Sequence, residues 1–356
     1  MTSGKRVLLS GSNGFVGAGV LHHLLRETDW TFILPTTSTH HGSQTRLNQV
    51  LDNYINWNLN LGNPKERMGK RVSVVHVDLS QPFDHSVFGG PTPDYILNIA
   101  SESHVDRSIE DPRPFIRNNV DLMVNVLEYA REVEPRLLLQ MSTDEVYGDA
   151  RPDEYHAEWS DIRPSNPYSA SKAAQEAIAY SYWRTYNVPL VITNTMNLIC
   201  PPVITFQDEE KFVPMVVNRL LGGQPVSIHV DDEGRSGSRC WIDVRDFADA
   251  WLFLIRDFEA GHYDPCYMPN RPHLPLRVNI VGEEMTNREI AEFLAGVLGK
   301  QRTATLVDEH FHQTRPGHDP RYALDGEAMR ELGWEPKIPL EKTLRQIAAS
   351  YLTRES

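Results

Sequence analysis

In the stretch "RLLLQMSTDEVYGD", Arg136 to Asp149, an apolar run stops at Ser142-Thr143 and two carboxylates follow at once, Asp144 and Glu145. Adjacent acids at the mouth of a buried strand resist joint ionisation, since each charge opposes the other and desolvation penalises both. The pair has two readings. One is a solvated turn or helix cap, the usual place for acids; the other is an acid and a base for proton chemistry. Further on, "NPYSASKAAQEAIAYSYW" carries Tyr168 and Lys172, four residues apart and so on one helical face. An ammonium beside a phenol lowers the phenol's pKa and makes it a usable base toward an alcohol. Near the N-terminus, "LLSGSNGFVGAGVL" sets Gly11, Gly14 and Gly17 in GxxGxxG spacing between a strand and a helix. There the backbone can turn tightly and approach a pyrophosphate, which meets the amide donors and positive dipole end of the helix. Asn13, Phe15 and Val16 share that turn and are expected cofactor contacts.

The elements that must position these groups alternate, β-rich runs with helical patterns, through the first half. Arg6–Ser10, Thr31–Leu34, Val72–Asp78, Tyr95–Ala100 and Arg136–Ser142 read as buried strands, with "PLVITNT" as another. "PRPFIRNNVDLMVNVLEYAREV" and the stretch from about Ser169 through Tyr186 read as long helices with apolar positions at helical spacing. From about Asn197 proline, glycine and charge rise, with helices expected at Asp246–Arg256, Asn287–Leu298 and Gly326–Leu332. The pattern predicts an α/β chain: a large dinucleotide-binding domain over 1–195, with a return segment at about 240–270, and a smaller domain from 196–239 and 271–356.

An acid near the end of the second strand normally holds the adenine ribose hydroxyls. Here "FILPTTSTHHGSQTR" has none. Thr36, Thr37 and Ser38 can donate to hydroxyls or to a 2′-phosphate, and His40 or Arg46 can add positive charge, so these residues leave NAD and NADP both open. Asp78, beside Leu79 at the end of the third strand, reads equally as an adenine contact and as a helix cap.

The chain has 356 residues, 40% hydrophobic and 23% charged, the composition of an ordinary globular protein. Its formal charge of -13, from 48 acids and 35 bases, argues against a nucleic-acid or anionic-membrane surface. No apolar span is long enough to cross a bilayer, and the N-terminus runs straight into the glycine motif without a cleavable signal. Cys200, Cys240 and Cys266 show neither metal-ligand spacing nor a disulfide framework, so a reduced, cytoplasmic setting is expected. The paired histidines in "LHHLL" and "THHG" have no cysteine or carboxylate company, and no metal is expected.

Taken together, "GSNGFVG", "ASESHVDRSI", "STDEVYGD", "NPYSASKAA", "EEKFVP" and "RPGHDPRYALD" resemble the blocks of the extended short-chain dehydrogenase/reductase superfamily. Within it they are most similar to the dTDP-glucose 4,6-dehydratases, with "STDEVYG" the most specific block. The resemblance runs nearly end to end. It implies a Rossmann-type doubly wound parallel sheet of seven strands with a smaller α+β substrate-binding C-terminal domain. It also implies an NAD cofactor, a nucleotide-sugar substrate, and a homodimer whose four-helix interface uses the helices around Phe115–Val133 and Ser169–Tyr186. Carried over residue by residue, Tyr168, with Lys172, deprotonates the glucose C4 hydroxyl as hydride leaves C4, and Thr143 holds that hydroxyl. Glu145 then removes the C5 proton, Asp144 protonates the C6 hydroxyl, water departs, and hydride returns to C6.

The same resemblance places Ala100 and Ser101 beside the nicotinamide ribose and Ser103, His104 and Asp106 toward the substrate. It gives Asn197, Lys211 and Arg239 to the nucleotide's phosphates, a task suited to cations, and Asn279, His318 and Tyr322 to further diphosphate and sugar contacts. The chain departs from the pattern at "MNLICPP", at Arg239-Cys240-Trp241 and through Val203–Glu210. Those departures bear on the base recognised, dTDP or UDP. A 4-epimerase or decarboxylase on the same fold would share Tyr168 and Lys172 but have no use for Asp144. A non-catalytic dinucleotide sensor would need none of the three.

Overall fold

The computed structural model describes residues 4–37, 43–60, 71–264, 273–301, 303–310 and 319–353. In chain order the first half holds β1 (Arg6–Leu9), α1 (Phe15–Glu27), β2 (Thr31–Thr36), α2 (Gln44–Asn60), β3 (Val72–His76), β4 (Tyr95–Asn98), α3 (Val105–Glu110), α4 (Pro112–Val133), β5 (Leu137–Thr143), α5 (Pro167–Tyr186) and β6 (Leu190–Thr195). The second half holds β7 (Asn197–Ile199), α6 (Phe212–Leu221), β8 (Val226–Val230), β9 (Ser238–Asp243), α7 (Val244–Glu259), β10 (Leu276–Ile280), β11 (Glu283–Thr286) and α8 (Asn287–Val297). It closes with β12 (Leu306–His310), β13 (Arg321–Tyr322), α9 (Glu327–Leu332) and α10 (Leu340–Leu352).

Seven strands form one sheet in the order β10-β6-β5-β4-β1-β2-β3, and every neighbouring pair is parallel. This is the doubly wound sheet that the alternating pattern predicts. α4 and α5 pack together over one face, and α1 with α7 over the other. Covered on both sides, β4, β6 and β10 are buried at every position, so they show no alternation of buried and exposed residues, and polar ones among them such as Asn194, Arg277 and Asn279 are hydrogen-bonded. β3 is the exception. It lies at the sheet's edge with Val74 47% exposed, so the run expected to be buried is half solvated. Trp251 of α7 is completely buried, and its indole N–H donates to Thr193 Oγ1 of β6 at 3.1 Å, which removes the desolvation cost of that ring.

The second domain is built around β9, which pairs antiparallel with β11 and parallel with β7 and β13. β8 and β12 form a separate pair beside α6, α8 and α10, whose apolar faces make a second core. Two expected boundaries are corrected. The seventh strand of the large sheet is β10, beyond the return segment ending near 270, while β9, inside that segment, belongs to the small sheet. β10 pairs residue for residue with β6, Asn279 with Asn194, and no feature of its own sequence distinguishes a sheet edge from a domain return.

Sheet order reverses between β1 and β4, the one place where successive crossovers leave in opposite directions. Ligands of open α/β sheets lie at that point, beyond the carboxyl ends of the strands. The glycine turn after β1, residues 99–103 after β4 and the acids after β5 all end there.

Candidate active site

Two adjoining cavities occupy the reversal point. The larger, about 280 Å³, is walled by the glycine turn, the end of β5, Tyr168 and Lys172 on one side and by Asn197, Lys211 and Trp241 on the other. The smaller, about 130 Å³, runs from Asn13 and Thr37 to Asp78 and Leu79. Both share Gly11, Gly14, Ala100 and Ser101, so they form one trough with the glycine turn at its waist.

The waist is shaped for a close-fitting anion. Gly11 takes φ +69, the left-handed region, and a Cβ there would meet the Ala100 amide nitrogen at 2.9 Å. A Cβ on Gly17 would overlap the Gly11 carbonyl oxygen. α1 starts at Gly14 with no side-chain cap, which leaves its first-turn amides turned to the trough. Asn13 holds the turn against β2 by donating to Thr37 O at 2.8 Å. These features fit a dinucleotide pyrophosphate lying over the waist, the cradle that side chains at those glycines would fill.

Of the expected cofactor residues, Gly11, Asn13, Gly14, Asp78, Leu79, Ala100 and Ser101 line the smaller cavity, and Phe15, Val16, Gly17, Tyr168 and Lys172 the larger. Thr36 lines neither: it ends β2, is buried, and accepts the Val77 amide through its carbonyl, so its neighbour Thr37 stands in the wall instead. Asp78 lines the cavity and accepts from Ser80 N and Oγ at 2.9 and 2.8 Å, bracing a turn rather than capping a helix. Arg46 is buried and donates to Asp208, Phe206 O and Asn13 O. Ser38, His40 and His318 lie outside the described residues.

The acids after β5 both sit in a turn of 3-10 helix over Asp144–Val146, capped by Thr143 Oγ1 on the Glu145 amide at 3.4 Å, and they point to different surroundings. Asp144 turns inward and is 4% exposed, while Glu145 is half-buried and accepts from Asn166 Nδ2 at 3.1 Å. Thr143 Oγ1 donates to Asp144 Oδ1 at 3.0 Å, and Asp144 Oδ2 is buried without a hydrogen-bond partner. Burial drives the Asp144 carboxyl from 3.8 up to about 6, although the Thr143 hydroxyl and the Arg239 charge oppose it. A carboxyl in that range can carry a proton to a leaving group near neutral pH. The opening pair is therefore neither a solvated turn nor an equivalent couple.

Tyr168 and Lys172 share the buried face of α5, in a helix set by an Asn166–Ser169 capping box and Pro167 in the first turn. The expected ammonium–phenol coupling is absent from this arrangement. Lys172 Nζ reaches back to Met141 O at 2.8 Å and Gln175 Oε1 at 2.7 Å, and the Tyr168 phenol is pushed far above its usual 10 by burial and by the Glu145 and Asp144 charges. Only the Thr143 hydroxyl pulls it down. Burial lowers Lys172 to about 8, with Glu176 opposing. Spacing placed the two on one face, but side-chain length carries the ammonium past the phenol to the end of β5.

Among the expected substrate contacts, Ser103, Asn197 and Lys211 line the larger cavity. His104 instead caps α3, its Nδ1 accepting the Arg107 amide at 3.3 Å, and its Nε2 meets Glu210 at 3.0 Å. Asp106, in the first turn of α3, lines neither cavity. Arg239 donates to the carbonyls of Ser238, Asp319 and Pro320, each at 2.7 Å, and stacks over Tyr322 at 4.4 Å, so the small sheet uses most of its donors. Tyr322 is buried, near enough for the Glu145 charge to raise its phenol. Asn279 is not brought to the cleft: wholly buried in β10, it donates to His156 O and Asp325 O at 3.0 Å each and lines neither cavity. Thr195, Met196, Gln207, Asp208 and Trp241 line the cleft without having been anticipated. Gln207 and Asp208 arrive on the unusual Val203–Glu210 segment, whose departure from pattern was the available signal.

That segment crosses the cleft mouth and is tied to the large domain on both sides. Arg46 of α2 holds Asp208 at 2.9 Å and lies over the Phe206 ring at 4.6 Å, while Gln49 and Asn53 donate to the carbonyls of Pro202 and Val203 at 2.7 and 2.8 Å. On the far side Glu210 meets His104 and Arg107 of the α3 segment at 3.0 and 3.7 Å.

Residues 7–265 match the model of the NAD dependent epimerase/dehydratase family. The dTDP-glucose 4,6-dehydratase of Neisseria meningitidis serogroup B is 30% identical over 374 residues, covering 99% of this chain and 94% of the relative. Among solved structures, the dTDP-glucose 4,6-dehydratase DesIV of Streptomyces venezuelae, with NAD bound, superposes with a TM-score of 0.77 at 28% identity, covering 98% of each chain. The UDP-glucuronic acid 4-epimerase of Bacillus cereus superposes with a TM-score of 0.79 at 18% identity, covering 99% of this chain and 100% of that one, and so shares the fold. A trough with a glycine waist, matched over most of its length by one family model, leaves one conclusion: the chain belongs to the NAD dependent epimerase/dehydratase family.

Proposed function

We propose that the protein is a nucleotide-sugar 4,6-dehydratase, acting on dTDP-glucose to give the 4-keto-6-deoxy sugar, with NAD in the trough. The observation that carries this reading is Asp144: a buried carboxyl with one unpartnered oxygen, titrating at about 6, next to Glu145 and Tyr168. Epimerisation at C4 gives such an acid nothing to do. Bound NAD supplies a reversible hydride acceptor, and the cation that a phenol in this pocket needs before it can ionise.

Tyr168 takes the C4 hydroxyl proton, with Thr143 Oγ1 close enough to orient that oxygen and to stabilise the phenolate. Glu145, steadied by Asn166, takes the C5 proton that the neighbouring ketone has acidified. Asp144 delivers its proton to the C6 oxygen so that it leaves as water, and burial keeps that proton in place until then. Lys172 fixes the Met141 carbonyl at the base of this set. Ser103, Asn197 and Lys211 are left to meet the sugar nucleotide.

The free buried thiols of Cys200 and Cys240 favour a cytoplasmic setting. The outer surface of α4 and α5, with Ile116 and Tyr186 exposed, favours a homodimer formed through those helices. Incubation with dTDP-glucose and UDP-glucose tests the reading. It requires a product lighter by one water and a 4-keto chromophore in strong alkali. An isomeric product of unchanged mass would make the enzyme an epimerase, and no product with any nucleoside diphosphate hexose, despite bound cofactor, would leave a binding protein.

A further inference from the structure

Behind the reacting groups lies an ion pair that the reaction itself does not use. Glu176, one turn beyond Lys172 on α5, and Arg277 of β10 are 3% and 1% exposed and meet at 2.6 Å. Arg277 Nε also donates to Asn194 Oδ1 of β6 at 2.9 Å, and Asn194 Nδ2 donates to Glu176 Oε1 at 2.8 Å, which closes a ring of contacts. Two arms leave that ring, and both end on β5. Ser142 Oγ donates to Glu176, and Asn194 Nδ2 donates to Thr143 O at 3.0 Å. The guanidinium is held flat between Tyr147 and Trp159, 5.0 Å from each ring.

Stability does not explain such a pair. Desolvating two charges costs several kcal/mol, and packed apolar residues in their place are often neutral or better. What the pair does is geometric. The peptide it grips is the one from which Asp144 and Glu145 depart, and its carboxylate stands on the helical turn adjoining Lys172. We propose that Glu176 and Arg277 are positioning residues: they fix the Ser142–Thr143 end of β5, and with it the two acids, and Glu176 sets an anion one helical turn from Lys172. Part of this rests on the dehydratase reading; the part concerning Lys172 does not.

The charged groups around the pair are few. Among the described residues, α5 gives Lys172 and Glu176, β10 gives Arg277, and the chain between β5 and α5 gives Glu158 and the Tyr147 phenol, both within reach of the Arg277 charge; β5 and β6 contribute the neutral Ser142 and Asn194. Glu176 is the one charge opposing burial at Lys172. The test is therefore run without substrate first. Holoenzyme carrying carbon-13-labelled lysine is titrated by NMR, and the Lys172 signal is identified by its loss in Lys172→Arg. Its midpoint, near 8 in the parent, falls by about one pH unit or more in Glu176→Gln, because the anion one turn away is gone. An unmoved midpoint overturns the proposal. Turnover is then measured on the paired replacement Glu176→Met with Arg277→Met, which removes both charges and keeps apolar volume. It folds, with kcat lowered about tenfold or more and KM changed less than about threefold. A kcat within threefold of the parent overturns the positioning role. A shifted midpoint in a parent that makes no keto sugar would sink the dehydratase reading and leave the Lys172 assignment standing.

Discussion

The sharpest consequence of the site concerns Asp144→Asn, because the same property predicts a loss of activity and a gain of stability. Folding moves this carboxyl from 3.8 to about 6. At about 1.36 kcal/mol for each tenfold change in proton affinity, ionising it in the folded protein costs on the order of 3 kcal/mol. The sign follows from the raised value. Well below 3.8 the group is neutral in both states and costs nothing; the penalty accumulates between about 4 and about 6, where the unfolded chain ionises and the folded one does not, and is constant above. Asparagine carries no charge and escapes it. Urea unfolding of parent and variant at about pH 4.5 and pH 8 should therefore give curves that diverge, the variant gaining roughly 2 kcal/mol on the parent between the two conditions. Taking the difference removes every other titrating group. In turnover the variant loses its proton donor, so keto-sugar formation falls by about 10²–10⁴ while reduced cofactor accumulates, because the Tyr168 step precedes elimination. A stability difference equal at both pH values, or turnover within threefold of the parent, would refute the assignment of a buried, protonated acid at this position.

Glu145→Gln keeps the Asn166 contact within reach and is expected to bind substrate within about threefold while elimination stops, read by calorimetric titration beside a single-turnover assay. Turnover should decline as pH rises through about 8, where Lys172 loses its proton, and a pH–rate profile of Lys172→Met should lack that limb while lying well below the parent throughout. In Gly17→Ala the new methyl group collides with the Gly11 carbonyl, a backbone group that cannot swing aside, so cofactor affinity in a fluorescence titration should drop more than about tenfold. Affinity within threefold of the parent would show that the turn has slack.

Local chemistry was legible before the fold, and long-range company was not. Gly11, Gly14 and Gly17 announce a turn wherever they follow an apolar strand, and the topology then puts that turn at the sheet's reversal point. Ser142 through Glu145 likewise read as a strand end with acids, because strand and turn are both local. Asn279 shows the limit. The resemblance implied a ligand contact, but a side chain inside the last strand of the sheet has backbone carbonyls on two sides and spends its amide on them. The Tyr168–Lys172 spacing correctly gave a shared face, yet could not tell that Met141 O and Gln175 would claim the ammonium. Glu176 and Arg277 stand 101 residues apart and acquire meaning only when β10 joins β6. Nothing in either stretch alone foretells that meeting.

The crossing segment from Pro202 to Glu210 decides how a tenant enters and departs. With Asp208 tied to one bank and Glu210 to the other, whatever lodges against Gln207 and Asp208 leaves more readily once those two ion pairs open. A chemistry that hands its electrons back at the end of each cycle has no call for replacement of the carrier. The span is therefore expected to slow exchange of the dinucleotide relative to that of the sugar nucleotide.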